Sequence, residues 1–143
     1  MIPHLPGLTP RPRAEIAPGL EEGLALYRAG YFWEAHEAWE PLWLAAPPNS
    51  RERALLQGLI QLANGWLKLR MDRAPAAERI AAIAAEHLAR AGATPCLGLA
   101  PGWAAAELAR LRQAILAARH DARDMHDSAQ VTTARFPGKP ATY

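Results

Sequence analysis

A single valine, Val131, occurs in the 143 residues of this chain, and side chains branched at Cβ are scarce throughout. Such side chains pack best on a pleated sheet, so a chain that nearly dispenses with them has little from which to build strands. Ala, Leu, Arg and Glu dominate instead, and these residues lose least on entering a helix. The sequence therefore predicts an all-α fold, a single compact bundle of about five helices. Half of its residues are apolar, enough for a core at this length.

Punctuation along the chain sets the helices out. Residues 1–17 carry four prolines and predict an extended N-terminal arm. A helical domain follows over 18–127, and residues 128–143 predict a C-terminal tail. Pro18 suits a first helical turn, with Glu21 and Glu22 behind it complementing the dipole. That helix is expected over about 18–29, facing inward through Leu20, Leu24 and Tyr27, with Gly30 as a left-handed cap. The second is expected over about 31–45. The third runs over about 50–72, opened by Asn49 with Glu52 three residues on, a capping-box spacing. The fourth covers about 75–91, between Pro75 and Gly92. The fifth covers about 101–126, with Ala104, Leu108, Leu111, Ile115 and Ala118 at helical spacing. Phe32, Trp39, Trp43, Leu59, Leu62, Trp66, Leu108 and Leu111 are the expected core. Gly58 and Gly65 lie seven apart on one side of the third helix. Each weakens it by about 1 kcal/mol relative to Ala, which predicts a close helix crossing there.

Charge excludes some functions. The formal net charge is +2, with arginines interleaved among acids, and no basic run with interleaved aromatics appears. Nucleic acid is not an expected partner. No apolar run is long enough to span a bilayer, and the N-terminus has no signal-like apolar segment. A cytoplasmic protein with no membrane partner is expected. Cys96 is the sole cysteine and reads as a small buried hydrophobe.

The unusual chemistry lies in "YFWEAHEAWEPLW", residues 31–43. At about 100° per residue, Phe32, His36, Trp39 and Trp43 share one stripe of the second helix, with Trp33 and Glu40 on its flank and Glu37 at its boundary. This spacing turns His36 and Glu40 inward with the tryptophans, one turn apart. An ionised group among indoles is costly unless paired, and the i,i+4 histidine is the natural partner. Pro41 removes an amide donor and predicts a kink that frees the carbonyl of Glu37. On the third helix, Gln57, Gln61, Asn64 and Lys68 form a polar stripe, in a protein that otherwise uses Arg and Glu for solvated faces. His87 beside Glu86 reads as an ordinary surface or edge histidine, the His120–Asp124 spacing as a solvated helix end, and His4 lies in the arm.

These residues resemble a prokaryotic family, domain-of-unknown-function family 309, whose hallmark is His-x-x-x-Glu-x-x-(Trp/Tyr). Here the hallmark reads His36, Glu40 and Trp43. The family's preceding pattern matches Gly30, Phe32, Glu34, Ala35, His36 and Glu37, and its Gln-Gly-Leu-Ile-Gln pattern matches Gln57 to Gln61. Pro41 departs from the more usual acidic or apolar residue. The resemblance implies an all-α fold and a suggested role of the His/Glu motif in metal binding; it supplies no substrate.

Two functional readings follow. In the first, the protein is a small enzyme or metal-binding protein, with hydrolysis the least specific choice. His36, Glu37 and Glu40 would be its catalytic residues, and His36 and Glu40 would hold a divalent metal ion. Trp43, Gln57 and Gln61 would bind the ligand, an unidentified small molecule or peptide. In the second, the protein is a non-catalytic helical interaction module, His36–Glu40 is a buried structural pair, and a homo-oligomer is one partner open to it.

Overall fold

The computed structural model describes residues 18–135. Five helices follow one another: α1 (Pro18–Arg28), α2 (Phe32–Ala45), α3 (Arg51–Arg70), α4 (Ala74–Ala91) and α5 (Pro101–Arg135). Among the described residues there is no strand, only one bridge between Cys96 and Leu99. That bridge closes a two-residue turn in which Leu97 and Gly98 both have positive φ, the geometry of a tight hairpin turn. The arm over 1–17, with His4, lies outside the described residues.

Each terminator in the sequence acts through a backbone bond. Gly30 has φ +89°; its N–H donates to the Tyr27 carbonyl, and the Tyr31 N–H donates to that of Leu26. This pair of bonds closes the last turn of α1 and reverses the chain into α2. The same pattern ends α3 without a glycine: Asp72 takes φ +59°, with Asp72 N–H donating to Leu69 and Arg73 N–H to Lys68. At the start of α3 the cap is Ser50 rather than Asn49. The Ser50 hydroxyl accepts from the Arg53 N–H at 3.1 Å, while Asn49 sits in the left-handed region at φ +63°. The cap therefore lies one residue later than the spacing suggests, and the residue three beyond it is Arg53, not Glu52. The fifth helix runs to Arg135, past its expected end and into the segment whose pattern suggests a tail. Extending a formed helix fixes one residue per hydrogen bond, so polar residues of modest propensity can continue it.

The third helix is central, packing on α2, α4 and α5, while α1 packs on α2. Its residues Leu55, Leu59, Leu62 and Ala63 are buried with Leu20, Leu24 and Trp39 from the first two helices and Leu111 and Ile115 from the last. Of the expected core, Trp39, Leu59, Leu62 and Leu111 are fully buried, and Phe32, Trp43, Trp66 and Leu108 pack against them half-buried. Trp39 has no exposed surface; its indole N–H donates to the Leu20 carbonyl at 3.2 Å. It fits because Gly23 faces it, and a Cβ at Gly23 would collide with the indole ring. The two glycines of α3 also mark close crossings. A Cβ at Gly58 would come within 2.5 Å of the Leu88 side chain, and one at Gly65 within 2.7 Å of Leu111.

Candidate functional site

The second helix buries Ala35 and Trp39 between α1 and α3, which turns His36 to the edge of the α2–α3 seam. Here His36 bridges two helices. Its Nδ1 lies 2.8 Å from the Asn64 side-chain oxygen, and its Nε2 lies 3.2 Å from a Glu40 carboxylate oxygen. The Asn64 amide in turn donates to the Gln61 side-chain oxygen at 3.4 Å. Glu40, His36, Asn64 and Gln61 thus form one polar chain running from the solvent edge of α2 onto α3. Trp33 lies against the imidazole, with ring centroids 5.2 Å apart.

The partners of the two ring nitrogens differ. The Asn64 oxygen only accepts, so the Nδ1 facing it carries a hydrogen. The contact with Glu40 needs a hydrogen on one of its two atoms, since a bare Nε2 and a carboxylate are both acceptors. Nε2 is therefore the ring nitrogen that faces the Glu40 carboxylate and the solvent side of the seam. The His36 side chain is 18% exposed and Glu40 50%, so the outer end of the chain meets water.

Several expectations need correction here. Glu40 does not turn inward: it lies about 100° around the helix from Trp39, past the buried arc, and is exposed. The tryptophans of this stretch do not turn inward together with the pair either. Trp39 is sealed in the core, Trp33 is half exposed, and Trp43 packs under the Arg53 guanidinium, 5.3 Å from its ring. The Trp43 indole N–H is buried without a hydrogen-bond partner. Pro41 lies inside the second helix, which continues to Ala45, so the Glu37 carbonyl lacks the N–H that residue 41 would otherwise supply. Glu37 is exposed and makes no hydrogen bond to His36 or Glu40. Gln61 joins the chain through Asn64, whereas Gln57 lines a separate polar depression with Ser50, Arg53 and Arg90. Among the described residues, no group of three His, Cys, Asp or Glu side chains is placed to hold a metal ion.

His87 lies at an edge as its sequence reading has it, whereas His120 and Asp124 are solvated but lie within α5 rather than at its end. His120 and Asp124 form an exposed pair at 3.5 Å. His87 contacts the Arg90 guanidinium through Nδ1, and partial burial, then that positive charge, hold its imidazole below the usual range. Cys96 is buried.

A second polar centre escaped the sequence reading. Glu107 is 8% exposed, the one buried charged residue among those described. It accepts from the Tyr27 hydroxyl at 2.9 Å and from Arg110 through both carboxylate oxygens, while the Trp66 indole N–H donates to the Tyr27 oxygen at 2.8 Å. Burial first, and then the Glu107 carboxylate, push the Tyr27 phenol far above its ordinary range. The available signal was a charge in apolar register: Glu107 falls between Ala104 and Leu111 on the stripe by which α5 packs.

Fold and site together define a small all-helical protein whose polar chain crosses one helix seam at the solvent edge. The chain belongs to the family described as Domain of unknown function (DUF309), whose model matches residues 20–80. That span holds the entire His36 chain, nearly all of the first three helices and the start of α4. A conserved hypothetical protein of Thermus thermophilus, known from its crystal structure, is similar at 36% identity and a TM-score of 0.53, over 67% of this chain and 98% of its own. No curated protein matches the chain. No helix among the described residues is long and apolar enough to cross a membrane.

Proposed function

We propose that His36 is the working group of an acid–base site, acting at Nε2 on a small molecule that approaches from solvent along the α2–α3 seam. The observation that carries this is the 2.8 Å bond from Nδ1 to Asn64, which fixes the ring and its tautomer while leaving Nε2 beside an exposed carboxylate. A histidine oriented through one nitrogen and free to exchange at the other has the arrangement of a general acid or base. Asn64 and Gln61 act as positioning residues, and Glu40 holds or returns the proton. A divalent ion at the same place would draw on His36 Nε2 and Glu40 only, fewer protein donors than metal centres usually use, so the acid–base reading is the better supported. Hydrolysis is the simplest chemistry for such a base, with water as the group it activates.

The second reading keeps the pair structural, fastening α2 to α3 in a helical interaction module. The bond across the seam favours it as well, but the exposure of Glu40 does not. An activated ester, p-nitrophenyl acetate, distinguishes the two. On the acid–base reading the protein accelerates release of nitrophenol with a pH-dependent rate, His36→Asn abolishes the acceleration, and Asn64→Leu lowers it. No acceleration over buffer, or full retention in His36→Asn, would leave the structural reading.

A further inference from the structure

Away from His36, the Glu107 network walls a cavity of about 210 Å³. Tyr27, Phe32, Trp66 and Trp103 form its aromatic sides, and Arg28 and Arg110 stand at its rim. The rings brace one another: Tyr27 meets Phe32 and Trp103 edge-on, at 5.4 and 5.9 Å between centroids. Three guanidinium groups cover aromatic faces around the opening, Arg28 over Trp103, Arg70 over Phe32 and Arg110 over Trp66.

The charge balance decides what could enter. Glu107 is the cavity's only acid among the described residues, and its oxygens are already engaged by Tyr27 and Arg110. Arg28, by contrast, makes no ion pair with any described carboxylate; it rests on Trp103 alone. A quaternary ammonium is drawn to aromatic faces. Here a guanidinium already covers one face of each of three rings, and the unbalanced charge is positive, which opposes a second cation and leaves the other faces to a neutral ring. We propose that this cavity binds a small planar carboxylate, its ring against Trp66 and Trp103 and its carboxylate on the Arg28 and Arg110 guanidiniums. Guanidinium groups match a carboxylate through paired N–H donors, and the volume suits a single ring. The Tyr27 hydroxyl, committed to Glu107, holds the floor rigid rather than contacting the ligand.

Benzoate is the direct probe, with benzyltrimethylammonium as the same ring carrying the opposite charge and inorganic phosphate as charge without a ring. Titrations on the full chain are followed by the indole N–H resonances of Trp66 and Trp103. The proposal expects saturable benzoate binding that shifts both resonances. It expects no comparable effect from the other two probes, and about a tenfold weakening in Arg28→Gln. Arg28 is exposed, so that variant keeps the fold, which circular dichroism checks; Arg28→Lys should recover part of the affinity. Absence of saturable benzoate binding, equal binding by benzyltrimethylammonium or phosphate, or an unchanged affinity in Arg28→Gln would each overturn it. None of these outcomes depends on His36, so they leave the acid–base reading to its own test.

Discussion

Nδ1 of His36 lies 2.8 Å from Oδ1 of Asn64, twenty-eight residues further along the chain. One side chain of α2 and one of α3 thereby fix an imidazole that neither helix could hold alone. The contact between His36 and Glu40 is of a different kind, exposed and within one helix.

This asymmetry predicts unequal losses. Asn64→Ala leaves a half-buried Nδ1 without its partner and should cost about 1 kcal/mol. Glu40→Gln removes only an exposed i,i+4 pair and should change stability by less than about 0.5 kcal/mol. Urea unfolding of both variants checks the order. A larger loss for Glu40→Gln would mean that the pair fastens the fold.

The α1–α2 contact predicts a second ordering. Gly23→Ala sets a methyl against the rigid indole of Trp39 and should destabilise by about 1–3 kcal/mol. Gly58→Ala and Gly65→Ala meet the ends of Leu88 and Leu111, flexible side chains that can give, so their losses should be smaller. Thermal melts of the three variants decide it, and a rise in melting temperature for both Gly58→Ala and Gly65→Ala would remove close approach as the reason for those glycines.

The buried phenol predicts an alkaline effect. The unfolded chain loses the Tyr27 proton near pH 10.0, whereas the folded protein keeps it to higher pH. Above pH 10 the unfolded state therefore binds fewer protons, and stability falls as pH rises, by at most about 1.4 kcal/mol per pH unit from this group. At neutral pH its full contribution is present. Tyr27→Phe should remove this part of the alkaline slope. It should also cost about 1–3 kcal/mol at pH 7, because Trp66 and Glu107 lose their shared partner. Unfolding curves at pH 7 and above pH 10 test both parts.

The fold was legible because local signals agreed with one another. Scarce branched residues, Gly30, Gly92 and the apolar spacing of α3 and α5 all point to helices and their ends. The α3 cap was misplaced because Asn49 and Ser50 are both good cap residues and spacing alone does not choose between them. The candidate site was legible only in part. The i,i+4 relation of His36 to Glu40 is local and can be read from spacing. The bonds from His36 to Asn64 and from Tyr27 to Glu107 depend on how helices pack, and a helical wheel carries no such information. The wheel also turned Glu40 inward, because it locates a stripe without giving the width of the arc that neighbouring helices cover.

The central claim is that Asn64 sets the working nitrogen of His36, and the most direct measurement is a long-range ¹H–¹⁵N spectrum of the imidazole rings through a pH titration. The chain has five histidines, and His36→Asn assigns the one that matters. The account predicts that neutral His36 carries its proton on Nδ1, and that this tautomer preference is lost in Asn64→Leu. A neutral His36 that carries its proton on Nε2 in the unaltered protein, or a tautomer indifferent to Asn64→Leu, would contradict it.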